Sequence, residues 1–299
     1  MTGDERIDQA GLGYERSVFG GDHSLLDDAD RGLDAVEADL ALARGRILHA
    51  RYLAARRAAE ARDGGARAIE GADSEAREIV LFERAALLYR GLGDGRGEAE
   101  ALFWMGCFHQ VVRGDDAVAV PLLQRSRERA GDPLILSYAL RHLGFAEHQA
   151  GRPDQAREHL EASTRLRREI GFLPGVAANL VGLAHIAAAE SLTPIAAGEG
   201  TADDDGRARA FAMLDEAADL AARTDSQAIL RQVDDARREV DARREVDARR
   251  EVGGREVDAR REVDARPEVG GRKAEARPEV DSGEVDAHPE NDVDARPEP

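Results

Sequence analysis

The feature that most constrains this chain is an internal repeat. Residues 82–105 align on residues 160–183 at an offset of 78. Ala85 falls on Ser163, Leu88 on Leu166, Arg90 on Arg168, Leu92 on Ile170, Gly93 on Gly171, Gly97 on Gly175, Ala99 on Ala177, Leu102 on Leu180 and Met105 on Leu183. Small, branched and glycine positions coincide across a whole helix-turn-helix. An offset of 78 holds two units of about 39, within the range of helical-pair arrays. The unit between them is present. Leu102-x2-Met105-Gly106, Leu140-x2-Leu143-Gly144 and Leu180-x2-Leu183-Ala184 each place two apolar residues at i, i+3 and then a small one. Ala119-x3-Leu123-x2-Ser126, Ala156-x3-Leu160-x2-Ser163 and Ala210-x3-Leu214-x2-Ala217 put a small and a large residue on one face of the second helices.

Composition agrees with helix. Aromatic residues are only 4% of the chain, and Ala, Leu and Arg dominate, a balance favouring helix over sheet. Lys273 is the only lysine; so strong a preference for Arg points to GC-rich coding and a bacterial origin.

The net charge of -18 is shared: residues 231–299 carry 15 basic and 21 acidic groups, leaving -6 on the tail and -12 on the rest. No basic footprint is available to neutralise phosphates, which argues against nucleic acid as a partner. Cys107 is the only cysteine, so no intrachain disulfide and no cysteine-held zinc is expected. MTGDERIDQAG lacks the pattern of a signal peptide. Val176–Ala189 is too short to span a bilayer and contains Asn179 and His185. No membrane association is expected, and the expected compartment is the cytoplasm.

Nothing local suggests catalysis, a cofactor or a metal. Gly91, Gly93, Gly95 and Gly97 superficially resemble a phosphate loop, but a helix precedes them and Gly171 and Gly175 repeat the pattern as a linker. His109, His142, His148, His159 and His185 have no ligand spacing. Cys107, behind a small residue on an apolar helix, reads as packing.

The unit SYALRHLGFAEHQAGRPDQAREHLEASTRLRREI, Ser137 to Ile170, resembles the tetratricopeptide repeat, with its Leu-Gly on the first helix and Ala-x3-large residue on the second. The LYRGLGDGRGEAEAL segment is similar to long-period repeats of actinobacterial regulators and signalling ATPases. The resemblance implies an all-α fold, a right-handed α-solenoid of antiparallel helix pairs. The expected organisation is a disordered N-terminal segment over 1–31, a repeat domain with a C-terminal capping helix over 32–252, and a disordered charged tail over 253–299. The first pair is expected over about Gly32–Arg62 and Ser74–Arg90, and SLTPIAAGEGTADDDG reads as a disordered insertion in the last. In the tail, DARREV recurs at Asp235, Asp241, Asp247 and Asp258. A six-residue period spreads its valines around a helix, so no coiled-coil seam forms there.

Arrays of this family expose their first helices in a groove. By the Leu-Gly register, that groove is lined by Phe103, Cys107, Gln110, Tyr138, Arg141, Phe145, His148, Val181 and His185. The resemblance therefore implies a scaffold that binds a protein or peptide in the groove, and not an enzyme. The alternative is a regulatory module that answers to a small effector.

Overall fold

A computed structural model describes residues 3–63, 72–190 and 202–242. Among these, every regular element is an α-helix: α1 (Glu5–Gly20), α2 (Leu26–Asp63), α3 (Ala72–Leu92), α4 (Gly95–Val111), α5 (Asp116–Arg129), α6 (Pro133–Gln149), α7 (Pro153–Glu169), α8 (Leu173–Glu190), α9 (Ala202–Arg223) and α10 (residues 227–242). Each helix packs on its neighbour in sequence, and the first helices also touch one another, α2 on α4 and α4 on α6. Four helix pairs, α2–α3, α4–α5, α6–α7 and α8–α9, thus stack as a helical repeat solenoid.

The small and large positions of the repeat are the joints. Ala119, Leu123 and Ser126 on α5, Ala156, Leu160 and Ser163 on α7, and Ala210, Leu214 and Ala217 on α9 are all 0–1% exposed. The two serines make the same bond in successive pairs. Ser126 donates to the Ala99 carbonyl at 2.8 Å, and Ser163 donates to the Ser137 carbonyl at 2.7 Å. Gly106 and Gly144 let the helices meet closely. A Cβ at Gly106 would stand 2.7 Å from Leu123 Cγ, and one at Gly144 would stand 3.1 Å from the Ala156 carbonyl. The turns repeat as well: Gly93 and Gly171 both adopt φ +71°, a conformation that costs glycine least.

Residues 5–20 are helical, which corrects the expectation of disorder over 1–31. Asp4 caps α1 by accepting from the Arg6 backbone N–H, and Gly21 closes it with a left-handed turn whose N–H bonds to Arg16. Arg6 then bridges Asp4 at 2.9 Å and Asp39 of α2 at 2.7 Å. Buried Gly13 lies against Ala29. The glycine and aspartate content that suggested disorder supplies the caps and the close approach. α2 also begins at Leu26, earlier than expected.

In α10, Val233, Ala236 and Val240 turn inward against α8 and α9, while Arg231, Gln232, Asp234, Asp235, Arg238, Glu239 and Asp241 face out. This is the polar outer surface that a terminal repeat needs. The expected loop within 63–73, most of the 191–206 insertion, the helix beyond residue 242 and the tail over 253–299 lie outside the described residues.

Candidate functional site

The nine groove positions divide. Phe103, Cys107 and Val181 are only 2%, 4% and 7% exposed and belong to the core, correcting their placement in the groove. Gln110, Tyr138, Arg141, Phe145 and His185 are half-buried, and His148 is exposed. The register misses at Phe103 and Cys107 on α4 and at Val181 on α8, while Gln110 and His185 stay partly open. On α4, Phe103 turns inward against Ala119, Leu123, Ile135 and Leu143, and the partly open position falls to Trp104. On α8, Val181 joins the core while Gly182 remains partly open beside Phe145. On α6 the register holds, and its Tyr138, Arg141 and Phe145 share one face.

Those α6 residues sit in a line of rings. Phe103 stacks on Tyr138 with centroids 5.3 Å apart, and His142 meets the edges of Phe103 and Phe145 at 5.3 and 5.9 Å. Arg141 lies over the Phe145 ring at 4.4 Å, and Arg167 lies over Tyr138 at 5.2 Å and Phe172 at 5.5 Å. At the other end Arg46 covers Trp104 and reaches Glu100 at 3.2 Å.

Behind the rings is a polar cluster that joins three helices. Asn179 of α8 accepts from Arg141 of α6 at 2.6 Å and from Arg167 of α7 at 2.9 Å. Its amide nitrogen donates to Ser163 at 2.8 Å and to Thr164 at 3.2 Å. Arg167, 1% exposed, also donates to the Gly175 carbonyl and to Ser137 Oγ. Among the described residues, neither arginine has a carboxylate partner. Burial, followed by the charge of Arg167, pulls the Arg141 guanidinium down to about 9, and burial pulls Arg167 down to about 10. Both remain cations at neutral pH. Among the described residues, Nη1 is the Arg141 nitrogen with a hydrogen-bond partner, and the residue is partly buried. A planar fork beside an aromatic ring suits a carboxylate or another planar oxyanion.

His142 is neutral. Its Nδ1 donates to Gln110 Oε1 at 2.6 Å, because the Gln110 amide nitrogen is committed to Asp116 and to the His142 carbonyl. Burial, followed by the charges of Arg141, Arg167 and His49, pushes its pKa down to about 3. His185 stands apart, 3.6 Å from Glu239 of α10.

No family model matches the chain, and no curated protein matches it either. Function is therefore read from these residues alone.

A second polar group lies in the core. His49 Nδ1 is 2.9 Å from Glu78 and its Nε2 is 3.7 Å from Cys107 Sγ. The order of groups is that of an activated thiol. Yet all three residues are at most 4% exposed, and burial together with Glu78 pushes the Cys107 thiol up to about 12. A thiol so placed is packing, not a nucleophile. Trp104 edges against His49 at 5.5 Å, and its indole N–H is buried without an acceptor.

Sequence reading missed Trp104, Arg167 and Asn179. Arg167 sits in Arg165-Leu166-Arg167-Arg168, which reads as a solvated string. The one signal for Asn179 was a lone amide in an apolar helix.

Proposed function

We propose that this chain is a tetratricopeptide-type adaptor whose first-helix face binds a protein or peptide segment carrying a carboxylate beside an apolar side chain. One observation carries the reading: the Arg141 guanidinium, partly open, beside a second guanidinium and without a carboxylate partner among the described residues. A bound carboxylate supplies the missing countercharge, and Phe145 and Tyr138 offer apolar area next to it. Stacked helix pairs and the burial of Cys107 favour binding over chemistry. The chain is acidic overall, so its long-range field disfavours an acidic run and favours a single local carboxylate.

The test uses peptide arrays in which one Asp or Glu flanks Leu or Phe, each paired with its Asn or Gln counterpart. Selected pairs are then measured by titration calorimetry. A charge-assisted hydrogen bond contributes about 1.5–3 kcal/mol, so the amide peptide should bind about 10- to 100-fold more weakly. Arg141→Gln should erase that preference while circular dichroism shows an unchanged fold. Equal affinity for acid and amide peptides, or an Arg141→Gln protein that still prefers the acid, overturns the reading.

A further inference from the structure

The two ends of the array differ. α10 closes the C-terminal end with charged residues, whereas the N-terminal end exposes apolar ones. Of the thirteen exposed large apolar residues among those described, eleven lie on α1–α3, so the exposure is concentrated at one end of the stack.

The arrangement on α2 is regular. Leu26, Leu33, Leu40 and Ile47 recur every seven residues and are 40%, 40%, 46% and 52% exposed. They run along the side opposite Ala38, Leu42, Gly45 and His49, which pack inward. α1 covers part of α2 near Ala29 and Gly32 and leaves this stripe open. Exposed alanines at 43, 50 and 54 flank it and permit close helix approach. A sustained seven-residue apolar repeat on a helix surface is the signature of helix–helix pairing.

Beside the stripe runs a second seven-residue row: Asp30, Glu37, Arg44 and Arg51, all exposed. Its sign inverts at the midpoint. Glu37 holds Arg84 of α3 in a two-point ion pair at 2.8 and 2.9 Å. Among the described residues, Asp30, Arg44 and Arg51 make no ion pair within the chain. An antiparallel copy of α2, related by a two-fold axis near residues 40–41, sets Leu40 against Leu40 and Leu33 against Ile47. The same axis sets Asp30 against Arg51 and Glu37 against Arg44. One operation satisfies both rows. A parallel copy in register carries the two charge rows to opposite sides of the seam, where they do not meet. An isologous contact of this kind closes on itself and leaves no free patch to propagate.

We propose that the outer face of α2 is a homodimer interface, formed by a second copy of this chain packed antiparallel along the stripe of Leu26, Leu33, Leu40 and Ile47. The proposal is independent of what the first-helix face binds.

The test is sedimentation equilibrium on the full chain at concentrations up to about 100 µM. The expected species has twice the 32.3 kDa chain mass. Leu40→Glu with Ile47→Glu should weaken dimerisation by about 100-fold or more, with helix content unchanged because both side chains are exposed. Asp30→Arg and Arg51→Asp should each weaken self-association by about tenfold, by setting like charges opposite each other. Mixing these two variants should restore the dimer, because every 30–51 contact in the mixed pair is then attractive. Leu40→Cys should form an intermolecular disulfide under mild oxidation and Leu26→Cys should not. A native chain that sediments as a monomer throughout overturns the proposal, as does a dimer indifferent to Leu40→Glu with Ile47→Glu. Failure of the mixed variants to pair, or equal cross-linking at positions 26 and 40, overturns the antiparallel arrangement.

Discussion

Arg141 and Arg167 share a single acceptor, the side-chain oxygen of Asn179, at 2.6 and 2.9 Å. Two guanidiniums on different helices are thus held on one uncharged atom from a third. Removing the acceptor leaves Arg167 in the core with a donor unsatisfied. Asn179→Leu should therefore destabilise the fold by about 2–4 kcal/mol, more than an apolar substitution of that size costs by itself. Chemical denaturation checks it. A loss below about 0.5 kcal/mol would show that the two arginines find other acceptors at little cost.

His142 makes stability depend on pH. Its folded pKa is lowered to about 3 from the ordinary value of 6.5. Between those values the unfolded chain binds a proton that the folded chain does not, so stability rises with pH across the window. It falls as pH drops from about 6.5 towards 3, with a slope from this group of at most about 1.4 kcal/mol per pH unit. His142→Gln should flatten the dependence of the denaturation midpoint in that range. Parallel curves for parent and variant would show that the imidazole takes up its proton as readily in the fold as in the unfolded chain.

The small positions of the repeat should separate by site. Gly106→Ala drives a Cβ to 2.7 Å from Leu123 Cγ and 3.3 Å from the Ala119 carbonyl, and should cost about 1–3 kcal/mol by overpacking. Gly91, inside α3, has nothing within 4 Å of an added Cβ. Gly91→Ala should instead stabilise by about 0.5–1 kcal/mol through helix propensity. Opposite signs in thermal unfolding are expected; a neutral Gly106→Ala would mean that Leu123 moves aside freely.

Cys107 should be silent to thiol reagents in the native state. It is 4% exposed and its thiol is pushed up to about 12, so the thiolate fraction at neutral pH is negligible. Labelling with an aromatic disulfide should keep pace with unfolding as denaturant rises. Stoichiometric labelling within seconds without denaturant would place the His49–Cys107 contact at an opening in the core.

The helix pairs were legible because their signal is local. Ala156, Leu160 and Ser163 must recur at i, i+4 and i+7 to bury one face, and the period appears in the string itself. The short α1 was not legible. Its cap residues and its approach glycine are the same residue types that mark disorder, and tertiary contacts such as Arg6 reaching Asp39 across 33 positions distinguish the two readings. Half of the candidate face was legible, since Tyr138, Arg141 and Phe145 follow from the register of α6. On α4 and α8 the helices are buried on nearly every side, so apolar periodicity no longer marks which residue faces out, and Trp104 stood one position from the expected Phe103.

The sequence by itself determined the all-helical class, the number and spacing of the packed pairs, and the small residues at their joints, because these rest on periodicities of a few residues. The tertiary structure decided what the charged residues do. Arg167 and Asn179 carry no local mark that separates a buried hydrogen-bonded cluster from a solvated string. Burial, and with it the cost of an unpaired charge, is set by which helices meet, and the bonds from Arg141 and Arg167 to Asn179 span 38 and 12 positions.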